Sequence, residues 1–175
     1  MKNKKPKENR KKEYLEQEDI FDNDYMEEVM GKYAPLIGEF IIRFSELEHE
    51  LNQMIAKSFI DDMDSVGYRV IKFLNFSAKV ELFLETSLER AIYTNSNIIQ
   101  KLNIIQKNLD EIRIFRNQIV HANWLTLTKK GFVRTRIESD KGDGSIQFVK
   151  VKILPKTIQT FINKINSTIN QIWKC

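Results

Sequence analysis

The stretch Arg113-Ile114-Phe115-Arg116-Asn117-Gln118-Ile119-Val120-His121-Ala122-Asn123-Trp124 is where the chain changes its period. Before it, apolar residues recur every three or four positions, as on the buried face of a helix. After it they alternate, as on a half-buried strand. The stretch also sets an arginine where helical spacing asks for a hydrophobe, and it holds one of only two histidines. Read outward, it predicts a mainly α fold: an antiparallel helical bundle with a small β-hairpin or three-strand insertion before the last helix.

On the N-terminal side, the first helix is expected over Tyr33–Ile60, with Leu36, Ile37, Phe40, Ile41, Phe44, Leu47, Leu51 and Ile55 as its stripe. A second helix follows over Tyr68–Tyr93, with Val70, Phe73, Leu74, Phe76, Val80, Phe83, Leu84 and Leu88. The Thr94–Asn97 cluster reads as a loop, and a third helix runs from Ile98 to about His121. On the C-terminal side, residues 124–128, 131–138 and 145–153 read as strands, with turns at Lys129-Lys130-Gly131 and Gly142–Gly144. Pro155 opens a closing helix that reaches about Trp173.

Residues 1–18 begin with seven cations among their first twelve positions and carry no hydrophobe between Met1 and Tyr14, which reads as a disordered basic arm. Residues 19–175 then form one domain, with the β insertion at about 124–153. The chain has 175 residues, 42% hydrophobic and 30% charged, enough to bury a core without staples. No apolar run nears the roughly 20 residues of a membrane span, so no membrane partner is expected. No apolar segment follows the basic start, so it does not read as a secretory signal. Cys175 is the only cysteine, and the histidines are His49 and His121 alone. Neither a disulfide framework nor a metal cluster is expected, nor any cofactor, and the reading favours the cytoplasm. A net charge of +4 is too small to name a nucleic-acid partner by itself.

On a helical wheel with Arg113 at zero, Leu102, Ile105, Leu109, Ile112, Ile119 and Val120 fall between roughly 240° and 340°. Arg116 falls near about 300°, among them, while Asn117 and His121 are neighbours on a flank near about 40° and 80°. A charge on that stripe needs a carboxylate, a phosphate or a partner subunit. Glu48 is the best internal carboxylate, because it holds the corresponding odd position on the first helix's stripe. Lys79 lies on or beside the second stripe and can join the cluster. In the plainer reading, Arg116 and Glu48 form a buried ion pair and His121 merely ends the helix. Arg113 adjoins Arg116 and Asn117 on the wheel, and could contact phosphate or pair with Asp110 or Glu111 of a partner copy.

Further on, alternation places Arg134 and Arg136 on one face of their strand and Lys150 and Lys152 on one face of the next. With Phe132 and Phe148 beside them they could grip an RNA backbone while the rings stack on bases; they could equally be a solvated face.

The pattern Arg116-Asn117-x-x-x-His121 resembles the signature of the HEPN superfamily, in which an arginine is followed by a polar residue and then a histidine late in a helix. Phe44-Ser-Glu-Leu-Glu48, Asn75-Phe-Ser-Ala-Lys79 and Arg116–Trp124 are similar to the corresponding segments of small stand-alone members, and the likeness spans about residues 33–173. The resemblance implies a metal-independent endoribonuclease acting as a homodimer, with a toxin or phage-defence role and an antitoxin or other regulatory partner. In such a site the 2′-hydroxyl of RNA is the nucleophile. As an imidazole, His121 can take or give a proton, and Arg116 can stabilise charge on the phosphorane. Asn117 can orient either, with Glu48, Lys79 and Arg113 in support. Arg116 and His121 lie about 140° apart and about 7.5 Å along a helix, so a second copy would help complete the site. The alternative is the same fold binding RNA or a nucleotide without cutting it.

Overall fold

Why the helices stop and start where they do follows mostly from where apolar spacing persists and where a side chain caps a free N–H. The structure, a computed structural model, describes residues 10–14, 23–59, 64–92, 98–139, 144 and 146–174. In chain order they form β1 (Arg10–Tyr14), α1 (Asn23–Phe59), α2 (Asp64–Ile71), α3 (Phe76–Ile92), α4 (Ile98–Val120), a single 3-10 turn (Trp124–Thr126), β2 (Phe132–Ser139), β3 (Ile146–Lys152) and α5 (Pro155–Ile172). The fold is therefore mainly helical, with its antiparallel hairpin before the last helix, as expected. No helix among the described residues is long and apolar enough to cross a membrane.

Four boundaries differ from expectation. Helix α1 begins ten residues early, because its opening turns carry charge rather than an apolar stripe; they are supported by a Lys32–Glu28 pair one turn apart. Pro35 sits inside this helix on an exposed side, where the carbonyl freed four residues back, at Gly31, is also exposed and can be hydrated. The expected second helix is two helices. The end of α2 tightens through bonds from the Phe73 and Leu74 N–H groups to the Val70 and Ile71 carbonyls, and α3 restarts on a cap, with Asn75 Oδ1 accepting the Ala78 N–H at 3.0 Å. This break resets the helical phase, which leaves Val70, Phe73 and Leu88 exposed although they were assigned to a buried stripe. Residues 124–126 are a 3-10 turn rather than a strand. Finally, Arg10–Tyr14 is not disordered: it pairs antiparallel with β3, giving the sheet order β1-β3-β2. The rest of the arm, the Ile20–Phe21 segment, the Thr94–Asn97 loop, Tyr93 and Gly142 lie outside the described residues.

The chain divides into two compact units, one of Met1–Gly38 with Asn117–Gln159 and one of Glu39–Arg116 with Thr160–Cys175, so α1, α4 and α5 each contribute to both. The second unit is helical. Its core gathers Phe40, Phe44, Leu47, Leu51 and Ile55 of α1, Ile71 of α2, Val80 and Phe83 of α3, Leu102, Ile105, Leu109, Ile112 and Phe115 of α4, and Ile162, Ile165 and Ile172 of α5. Phe115 was not assigned to the α4 stripe, yet it is buried, stacked on Phe161 at 4.0 Å and edge-on to Phe40 at 5.3 Å. Val120, which was assigned to it, is exposed. Helix α2 is held close to α1: a Cβ on Gly67 would lie 2.7 Å from the Ala56 Cα.

The first unit is built on the sheet, with Val133, Val149, Val151 and Ile153 buried alongside Tyr33, Ile119, Leu127 and Ile158. Tyr33 donates its hydroxyl to the Ile153 carbonyl at 3.0 Å. The expected turn at Lys129–Gly131 forms, with Gly131 at φ +80° and its N–H bonded to the Thr128 carbonyl.

Candidate functional site

Helix α4 delivers the motif. Its ladder runs one residue past Val120, because the His121 N–H donates to the Asn117 carbonyl at 3.1 Å. The next turn is fixed within the first unit by Trp124. The Trp124 indole N–H donates to the Ile119 carbonyl at 3.1 Å, and its ring packs on Tyr33 at 5.7 Å. Asn123 then bridges to Arg134 on β2, with its N–H 2.7 Å from the Arg134 carbonyl. Asn117 and His121 both carry exposed side chains, Asn117 on the last turn of α4 and His121 just beyond it.

Arg116 belongs to the second unit and is half-buried, as its place on the stripe requires. Its guanidinium lies over the Phe44 ring, 5.5 Å from the centroid. Phe44 in turn packs on Phe76 at 4.9 Å. One turn further along each of those helices, Lys79 donates to Glu48 at 2.7 Å, with the lysine side chain 9% exposed and the glutamate 34%. So the expected Arg116, Glu48 and Lys79 do share one unit, but the carboxylate assigned to Arg116 is held by Lys79, while an aromatic face carries the guanidinium. Phe44 and Phe76 are the residues that spacing did not single out. Their signal was present: each stands three or four positions before the odd charge on its own helix, so the two pairs repeat one pattern.

Arg113 pairs with Asp110 of its own chain at 3.3 Å. Glu111, its other expected partner, hydrogen-bonds Lys164. His49 is exposed, with its Nε2 2.8 Å from Gln53 Nε2. The surface pocket of about 170 Å³ between Lys101, Ile104, Ile105, Gln171 and Lys174 is lined by none of the expected site residues. No three histidine, cysteine, aspartate or glutamate side chains gather as a metal-ligand set among the described residues. Away from the motif, Lys32 holds the Glu28 carboxyl below its ordinary range by hydrogen bonding and charge.

The hairpin corrects the expected basic patch. A bulge falls between Arg134 and Arg136: Arg134 pairs with Lys150, and Arg136 with Val149, so the two arginines do not share a row. Lys150 is only 3% exposed and is not displayed. Arg136 is exposed and bonds Glu138. Arg134 lies over Phe148 at 4.2 Å and Lys152 over Phe132 at 5.8 Å, so the rings expected to receive bases carry this chain's own cations.

Comparison with protein-family models, with curated proteins and with solved structures finds no match.

Proposed function

We propose that the chain is a metal-independent endoribonuclease of the HEPN type, working as a homodimer. The observation that carries the reading is Arg116-Asn117-x-x-x-His121 at the end of α4, with the imidazole exposed immediately past the helix and the arginine backed by an aromatic ring. In the proposed reaction, the 2′-hydroxyl attacks the adjacent phosphorus. His121 takes or gives the proton, and Arg116 meets the charge on the equatorial oxygens, which suits a planar five-donor guanidinium. The O5′ bond breaks, leaving a 2′,3′-cyclic phosphate and a 5′-hydroxyl. Asn117 orients the imidazole or the phosphate. A two-fold axis would set one motif against its copy. A toxin or antiviral role under a restraining partner rests on the family resemblance.

The test is incubation of the purified chain with end-labelled RNA in EDTA, beside Arg116→Ala and His121→Ala. Cyclic-phosphate products that both variants lose are expected. Cleavage that EDTA abolishes, or that His121→Ala leaves intact, overturns the proposal. RNA binding without cleavage by the parent chain gives the non-catalytic reading.

A further inference from the structure

Phe73, in the turn between α2 and α3, is 81% exposed. Such exposure of a phenylalanine is costly in water, and it is confined here to a well-held element. Helix α2 is pinned on one side by Gly67, which approaches Ala56 closely, and by the fully buried Ile71. Its other side and the turn present Tyr68 (40% exposed), Arg69, Val70 (42%), Lys72 and Phe73. Lys72 Nζ stands 4.6 Å from the centre of the Phe73 ring. From Ser65 to Val80 the chain has no aspartate or glutamate, while Arg69, Lys72 and Lys79 are cationic, and Lys79 is already taken by Glu48.

We propose that this turn is a contact for single-stranded RNA, with an unstacked base on Phe73 and the backbone phosphates beside Arg69 and Lys72. The choice of RNA rests on the ribonuclease reading. An open ring flanked by cations is the arrangement by which single strands are held without regard to sequence, and a duplex offers no free base face to it. The excess of positive charge matches a polyanion. A lipid surface fits less well, because the outward side interleaves its cations with its apolar groups and gives no continuous apolar band. The hairpin is the weaker place for a base, since Phe132 is buried and Phe148 lies under Arg134.

The test uses the full chain carrying His121→Ala, so that bound RNA survives, and a fluorescent single-stranded RNA of about 12 nucleotides, a length within the usual site sizes. Phe73→Ala should weaken binding about tenfold and Phe73→Trp should preserve it. Arg69→Ala and Lys72→Ala should each lower the slope of log affinity against log salt by about 0.7. Circular dichroism checks that each variant folds. Unchanged affinity in Phe73→Ala overturns the inference, and so does a loss confined to anionic vesicles. The ribonuclease reading fails separately: a parent chain that cuts no RNA, yet binds it through Phe73, leaves the contact standing.

Discussion

Glu48 and Lys79 form an asymmetric pair, and the asymmetry decides what removing either one does. The lysine is nearly enclosed, whereas a third of the glutamate reaches solvent. Taking away the carboxylate strands an ammonium with little water around it. Taking away the ammonium leaves a carboxylate that water can reach, and a methionine fills much of the same space. Glu48→Gln should therefore destabilise by about 2–4 kcal/mol, somewhat under the usual loss for a fully buried pair. Lys79→Met should cost less, and the double variant should recover most of the Glu48→Gln loss; urea unfolding reads all three. Equal losses in the two single variants would refute the asymmetry. Arg116 poses the same problem with a different answer: an aromatic face is worth about 0.5–2 kcal/mol to a guanidinium and leaves its fork of donors for another group.

Among the elements, α2 depends on the missing side chain of Gly67. Alanine is the better helix former by about 1 kcal/mol, so propensity alone predicts that Gly67→Ala stabilises. The contact predicts the reverse, because the added methyl would press on the backbone of Ala56, which cannot swing aside. Overpacking of this kind costs about 1–3 kcal/mol. A net fall in thermal midpoint is expected, and a rise would mean that α2 rides loosely on α1. The same region marks where sequence reasoning ended. The long stripes of α1, α4 and α5 were legible because their spacing persists over several turns. The break at residues 72–75 was hidden because Phe73, Leu74 and Phe76 continue the apolar spacing across it, and only the Asn75 cap betrays the restart. Strand β1 was hidden for another reason: its partner is β3, more than a hundred residues away, and Lys-Lys-Glu-Tyr has no local pattern of its own. At the site, stripe phase exposed Arg116, Glu48 and Lys79 as misplaced charges, but which of them would meet required the packing of α1 on α3.

The whole molecule carries one tryptophan in each compact unit, Trp124 in the first and Trp173 in the second. Three helices give part of their length to each unit. A helix that loses tertiary support along half its length loses most of its own stability, since short isolated helices are marginal in water. The units should therefore unfold together. Trp124→Phe and Trp173→Phe variants, each followed by its remaining tryptophan in urea, should give superimposable transitions. Midpoints that separate would mean that each unit stands alone.

The anchors around the motif also constrain its spelling. Phe115 is clasped by Phe161 and Phe40, and Trp124 is tethered to the Ile119 carbonyl. Between them lie the eight positions 116–123. Inserting or deleting one residue there would turn Asn117 and His121 by about 100° relative to one anchor or the other. Substitutions inside this window can be judged by chemistry, whereas changes in its length must be judged as a loss of frame.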